Sequence, residues 1–421
     1  MQNRAVGLVA RISAGGWFEA YDLFMTSYIA LGLYREKLFA PLAQGPVGFA
    51  TFVGAGFAGM FAGTLLFGWV SDRFGRRATF AWSLIFYSLT TLFMSLAGSA
   101  LAIDIWRMLA GVGIGVQIIT IDAYVSEIAP AADRGRLIAL SQAVTFTAVP
   151  VVAFLAAWLV PLDVHVGGSL VAGWRIVAAI GAAGALVAWQ LRRGLPESTR
   201  WTEAQRSGWS GRPSRSTAVA FQLSEVFSPA LRARTIMLVA FNVLQTFGYY
   251  GFTSWVTTLL YQEHVEFVRS LQYTAIIALA NPFGPIVAMF FADRVERKWQ
   301  ITALAIVIAI AGVAFGVVRS PVAIILWGIA IALSINWFSS AFHAYQAELY
   351  PTRIRAQGVG FVYSFGRLSA IAVGYAVAAV ARGFGTQGVF VMIAAAMVAV
   401  AIIIAAFGPR TNRLELEAIA P

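Results

Sequence analysis

The chain repeats itself at a fixed spacing, and few structures accommodate the form this repeat takes. Asp72-Arg73 followed by Arg76-Arg77 returns 221 residues later as Asp293-Arg294 followed by Arg297-Lys298. Tyr124, Glu127, Pro130 and Arg134 return at the same offset as Tyr345, Glu348, Pro351 and Arg355. A constant offset shared by two separate motifs points to a duplicated half. Both sets of polar residues sit between long apolar runs.

An apolar run of about 18 residues or more can cross a bilayer as a helix. Twelve are read here, near 8–33, 47–71, 78–97, 101–123, 137–160, 171–192, 235–260, 270–292, 299–318, 321–344, 357–380 and 386–407. The expected fold is therefore all-α and integral to the membrane, with twelve transmembrane helices. Residues 1–192 form one six-helix half and 232–421 the other, joined by a polar linker at 193–231 that contains Pro196-Glu197-Ser198 and a Gly/Ser/Arg-rich stretch. Duplicated helical halves in a membrane are a common architecture of secondary transporters. The first run is long and carries Glu19 and Asp22, unlike a cleavable signal peptide. Runs of small residues such as Gly54-Ala-Gly-Phe-Ala-Gly59 and Gly111-Val-Gly-Ile-Gly115 suit close helix packing in lipid.

Hydrophobic residues make up 59% of the chain and charged residues 12%, far from the balance of a soluble domain. The net charge of +11 invites a nucleic-acid reading, but its placement argues otherwise. With a cytoplasmic N-terminus, 22 of the 30 Lys and Arg fall in cytoplasmic loops and tails. This positive-inside bias predicts both termini in the cytoplasm, of a cell membrane taken as a bacterial inner membrane. The basic residues are scattered over short loops rather than gathered in a patch, so nucleic acid is not an expected partner. With three histidines and no cysteine, the pattern holds no metal cluster and no nucleophile–base arrangement. An enzyme is not expected, nor is any cofactor.

The stretch Gly68-Trp-Val-Ser-Asp72-Arg73-Phe-Gly75-Arg76-Arg77 resembles the signature loop of the major facilitator superfamily. In that family the loop latches the two halves on the cytoplasmic side. The second copy departs from the pattern, with Met289 in place of Gly68 and Glu296 in place of Gly75. Arg107-Met-Leu-Ala-Gly111-Val-Gly113-Ile-Gly115, with Tyr124, Glu127, Pro130 and Arg134, is similar to the sugar-porter signature. So are Leu195-Pro196-Glu197-Ser198 and Glu348-Leu-Tyr-Pro351-Thr352-Arg353-Ile-Arg355. The resemblance implies a cytoplasmic gate of Asp72, Arg73, Arg76, Arg77, Glu127, Arg134, Glu197, Asp293, Arg294, Glu348 and Arg355. It weakens in the seventh run, Asn242-Val-Leu-Gln245-Thr-Phe-Gly-Tyr249-Tyr250. There a single glutamine and two tyrosines look more like the niacin and organic-ion branches than like sugar porters.

Charges inside a membrane cost several kcal/mol and mark functional sites by default. Asp22 lies ~20 Å from the cytoplasmic end of the first run, and Arg107 ~22 Å above the inner surface, so the two can meet. In proton-coupled sugar porters, the matching aspartate and arginine couple proton movement to transport. A purely structural ion pair is the competing reading. Glu19 stands at spacing i, i+3 from Asp22, as a second protonation site or as an arginine's partner. Arg367, ~15 Å deep, reads as a carboxylate anchor because its planar fork matches a carboxylate, or as a partner for Glu19.

Gln245, Tyr249, Tyr250, Trp255, Asn281, Asn336 and Trp337 are candidate cavity residues with apolar bodies and directed hydrogen bonds; tryptophan and tyrosine also populate interfacial belts. His343 is assigned a gate contact. The chain is thus expected to be a monomeric proton symporter of a small organic, aromatic acid in the lipid bilayer, with sugar or polyol symport as the alternative. A drug exporter would show a glycine-proline pattern in the fifth run. A sensor would be expected to carry a long tail or an added domain. The asymmetry of the repeat sharpens this reading: Asp22, Arg107 and Arg367 align with Val243, Gly328 and Phe146.

Overall fold

A computed structural model of the chain describes residues 2–39, 47–74, 76–128, 134–166, 169–192, 225–263, 265–291, 294–351 and 354–411. The elements in order are α1 (Gln2–Arg35), α2 (Val47–Phe74), α3 (Arg76–Leu96), α4 (Ala100–Ile128), α5 (Arg134–Phe146) and α6 (Ala148–Leu159). A hairpin of β1 (Asp163–Val166) and β2 (Ser169–Ala172) leads into α7 (Gly173–Arg192). After the linker come α8 (Arg232–Thr253), α9 (Val256–Gln262), α10 (Phe267–Ala278), α11 (Phe283–Phe291), α12 (Arg297–Val317), α13 (Pro321–Glu348) and α14 (Arg355–Phe407).

Among the described residues, six helical stretches are long and apolar enough to cross a membrane by length and composition: Val47–Thr64, Ala139–Leu159, Phe267–Phe291, Arg297–Val317, Pro321–Gln346 and Gly358–Phe407. Many large apolar side chains point outward, among them Trp82, Leu96, Trp158, Phe290, Ile310 and Phe407, as lipid contact requires. The antiparallel hairpin, pairing Asp163 with Ala172 and Val166 with Ser169, lies outside the all-helical expectation. Its end of the molecule is called the hairpin end below.

Several helices break where the backbone loses a donor or needs a turn. Between α10 and α11, Pro282 cannot donate to the carbonyl of Ala278. The Asn281 backbone N–H and side-chain amide both donate to that carbonyl, at 3.1 and 2.8 Å. Between α5 and α6, the Thr147 hydroxyl donates to Val144 O at 2.7 Å and accepts from Trp17 Nε1 at 2.9 Å, just ahead of Pro150. In α14, Gly385 has φ 63°, a left-handed conformation that suits glycine. The chain doubles back there, because a Cβ on Gly251 would lie 3.1 Å from Ile393 and 3.9 Å from Val373. Twenty residues of straight helix would hold those two ~30 Å apart.

The glycine runs let α2 and α4 touch backbone to backbone. A Cβ on Gly59 would fall 1.9 Å from Met108 O, on Gly63 2.2 Å from Val112 O, on Gly111 2.2 Å from Gly56 O, and on Gly115 2.3 Å from Met60 O. Any side chain would force the helices apart, and dispersion from this contact supplies packing energy that lipid cannot. At the hairpin end, Arg175 at the start of α7 donates to Ser95 O and Ala97 O, both at 2.8 Å, and to Glu36 at 2.8 Å. A cation on the carbonyls at the end of α3 also suits that helix's dipole. Arg35 ties α1 to the hairpin through Asp163 and through Pro161 O, the latter at 2.6 Å.

Candidate functional site

Close packing of α4 on α2 presses Arg107 into α1. Asp22 and Arg107 are 2% and 3% exposed. Arg107 Nη1 donates to Asp22 Oδ1, and Nη2 donates to the Thr26 hydroxyl and to Asp22 O at 3.3 Å. The second carboxylate oxygen of Asp22 accepts from Thr91 on α3 at 2.6 Å. The guanidinium lies over the Phe52 ring at 5.6 Å. A buried ion pair repays its desolvation only when the remaining lone pairs are satisfied, and Thr26 and Thr91 supply those contacts. The pairing follows from matched depths in the sequence. Thr91 does not, since an isolated threonine in an apolar run gives no signal.

A second cluster gathers around Arg367, 5% exposed on α14. Nη1 donates to the Tyr250 hydroxyl at 2.5 Å and Nη2 to the Tyr363 hydroxyl at 3.0 Å. The guanidinium carbon stands 4.9 Å from the Tyr363 ring centroid and 5.9 Å from that of Tyr250. Tyr249 packs edge-on against Tyr250 at 4.9 Å, and His343 lies 5.4 Å from Tyr363. Glu19 is buried and contributes to the electrostatic field at Arg367. No carboxylate forms an ion pair with Arg367 within 4.0 Å among the described residues. Tyr363 and His343 join this cluster although neither was expected at a ligand site. Tyr363 carried a usable signal, a polar aromatic one helical turn before a buried arginine.

The other candidate cavity residues separate. Gln245 is buried on α8 and makes a 3.5 Å contact to the Thr246 hydroxyl. Asn336 donates to Asn281 at 2.8 Å, a clasp between α13 and the α10–α11 break. Trp337 donates to Gln300 at 3.3 Å and packs on Phe291 at 5.0 Å, away from Arg367's partners. Trp255 is fully buried against Phe49 at 4.8 Å.

That last contact belongs to a seam between the helices before and after the linker. Ser27 and Thr257 share a hydrogen bond of 3.3 Å, Phe57 meets Tyr250 at 4.4 Å, and Tyr375 approaches Thr51 at 3.5 Å. These contacts close the hairpin half of the seam. Toward the opposite end, Ser340 donates to Gln142 at 2.8 Å. Among the residues assigned to the gate, Glu348 pairs with Arg297 at 3.1 Å, and Arg294 is exposed. The side chains of Asp72, Arg73, Arg76, Arg77, Glu127, Arg134, Glu197, Asp293 and Arg355 lie outside the described residues.

A bundle of long apolar helices with lipid-facing side chains and buried charges along an internal seam defines a multi-pass membrane protein built for transport. The chain belongs to the major facilitator superfamily, whose family model matches residues 12–342 and 273–419. It is 30% identical to YyaJ of Bacillus subtilis (strain 168) over 425 residues, 95% of this chain and 91% of that protein. It is 29% identical to the niacin transporter NiaP of Acinetobacter baylyi (strain ATCC 33305 / BD413 / ADP1) over 428 residues, 96% of this chain and 94% of that one. Its fold is that of a crystallised D-xylose-proton symporter, with TM-score 0.77 at 18% identity, covering 95% of this chain and 97% of that one. The chain is a secondary transporter, not an enzyme.

Proposed function

We propose that this transporter imports a small organic carboxylate, preferentially an aromatic one, together with a proton. One observation carries the reading: the buried fork of Arg367 is occupied by two neutral tyrosine hydroxyls. A carboxylate adds ion pairing to bonds that the charged guanidinium makes only to neutral hydroxyls, and its two oxygens match the planar fork. Exchange of hydroxyls for substrate is thus favourable, and the surrounding tyrosine rings suit a flat ring on the carboxylate. The niacin transporter NiaP supports this, since niacin is an aromatic carboxylate.

In this reading the Asp22–Arg107 pair carries the proton. Separation of the pair favours protonation of a buried carboxylate, and renewed pairing favours release. Residues 1–192 and 232–421 act as two six-helix halves of a twelve-span monomer, with both termini and the 193–231 linker cytoplasmic. The hairpin end then faces outward, and the seam through Ser27–Thr257 and Phe49–Trp255 is the outer gate. The Asp72 and Asp293 loops, with Glu127, Arg134, Glu197, Glu348 and Arg355, form the inner one, in a bacterial inner membrane.

The test is uptake by proteoliposomes of nicotinate, benzoate, an aliphatic dicarboxylate, xylose and a polyol, with and without an inward acid gradient. Saturable, acid-stimulated uptake of the aromatic acids is expected. Uptake confined to sugars or polyols rejects the carboxylate assignment in favour of the alternative.

A further inference from the structure

The two charge clusters sit on opposite sides of the linker in sequence, yet one side chain meets the second and shares a cavity with the first. Phe57 on α2 is 3% exposed, and its ring meets that of Tyr250 edge-on at 4.4 Å. Tyr250 is the residue whose hydroxyl occupies Arg367 Nη1. On its other side, Phe57 lines a small cavity shared with Thr26, Gly56, Arg107 and Ser254. A Cβ on Gly56 would stand 3.1 Å from Arg107 Nε, so the α2 backbone rests against the guanidinium. That Nε is a buried donor with no hydrogen-bond partner among the described residues.

We infer that Phe57 is the positioning residue that couples the proton site to the anion site. The inference rests on the carboxylate–proton symport proposed above. With the outer seam closed, the Phe57 ring holds Tyr250 on Arg367, and the Tyr250 hydroxyl takes one arm of the fork. When Asp22 gains a proton, Arg107 loses its ionic partner. The charge turns toward the adjoining cavity walled by Gly56, Phe57 and Ser254. Movement there displaces α2 and Phe57, and Tyr250 loses its aromatic support. The second arm of Arg367 becomes available to a carboxylate. One proton on Asp22 thus prepares the site for one anion, the linkage a symporter needs.

The charged and titratable groups facing the proton side of this route are Asp22, Arg107 and Tyr21. Those on the anion side are Arg367, Glu19, His343, Tyr249, Tyr250 and Tyr363. Phe57 is the uncharged contact between the two sets. A ring is needed because the edge-on contact aligns Tyr250; a flexible aliphatic chain fills the volume without that alignment.

The experiment compares Phe57→Leu, Phe57→Tyr and wild type in proteoliposomes, with radiolabelled nicotinate and benzoate as probes. Counterflow without a gradient reports site and gating, and acid-driven accumulation reports coupling. Phe57→Leu is expected to keep counterflow within about threefold and to lose accumulation about tenfold, with Phe57→Tyr restoring it. Wild-type accumulation in Phe57→Leu overturns the inference and leaves carboxylate symport standing. Equal loss of counterflow and accumulation in Phe57→Leu, in protein that stays monodisperse, also overturns it. If wild type accumulates neither probe under an acid gradient, the symport reading fails and this coupling falls with it.

Discussion

Tyr363 stands one helical turn before Arg367 on α14, and its hydroxyl accepts a 3.0 Å hydrogen bond from the guanidinium it precedes. Four residues along a helix put two side chains on one face, so helix geometry alone assembles half of this site. The other half, Tyr250, comes from α8, a different helix. Removal of the Tyr363 hydroxyl leaves one arm of the fork without its acceptor in the empty protein. Tyr363→Phe is expected to tighten nicotinate binding about tenfold, the low end of the about 1.5–3 kcal/mol that one hydrogen bond to a charged group is worth. Weaker binding by tryptophan fluorescence would mean that the hydroxyl contacts substrate directly.

Arg367→Lys keeps the charge but loses the fork. A lysine offers a point charge where a planar bidentate donor is needed, and loss of one charge-assisted bond costs about 1.5–3 kcal/mol. Uptake of aromatic carboxylates at subsaturating concentration should fall at least tenfold, on the order expected from that energy. Retention of wild-type uptake by the lysine variant would remove Arg367 from the binding site.

Asp22→Asn removes the titratable group but keeps its size. The amide oxygen can still accept from Arg107 while the amide N–H donates to the Thr91 hydroxyl, so the contacts that hold α1, α3 and α4 together persist. Acid-driven accumulation should vanish while counterflow persists. An Asp22→Asn variant that accumulates substrate as wild type does would reduce the pair to a structural strut.

The α2–α4 contact makes a sharp stability prediction. Gly111→Ala would drive a methyl group to within 2.2 Å of Gly56 O, so the helices must separate. Overpacking of this kind costs about 1–3 kcal/mol, and a lowered thermal midpoint in detergent is expected. Gly312→Ala is the control, because nothing lies within 4 Å of its Cβ position; its midpoint should match wild type or exceed it.

Two arginines at the hairpin end should differ in worth. Arg175, 18% exposed, serves two helix-end carbonyls and Glu36, and Arg175→Met should cost about 2–3 kcal/mol through the groups left unpaired. Asp163→Asn breaks an ion pair whose partners are 41% and 36% exposed, worth less than about 1 kcal/mol. Equal midpoint shifts for the two variants would contradict this ranking.

The amino-acid sequence by itself determined that this is a helical membrane protein with buried charges. Run length, the 221-residue repeat and the rarity of charge in apolar segments are local properties of the chain. The meeting of Asp22 with Arg107 was also legible, because depth in a bilayer follows from residue count at 1.5 Å per residue. Depth does not determine rotation about the helix axis, and rotation decides which neighbour a side chain meets. Asn281 was therefore legible as a buried amide, but only the tertiary structure revealed it as the substitute donor for the carbonyl Pro282 cannot reach. Trp255, Asn336 and Trp337 likewise had the chemistry of cavity residues, and only the tertiary structure shows which helices they bridge. Phe57 had no mark in the sequence that separates it from other aromatic residues of the spans, and the marks of Tyr363 (one turn before a buried arginine) and His343 (a histidine in an apolar run) do not name their partners. Their place beside Arg367 and Tyr250 depends on how α2, α8, α13 and α14 face one another, a relation between helices far apart in the chain that no local pattern encodes.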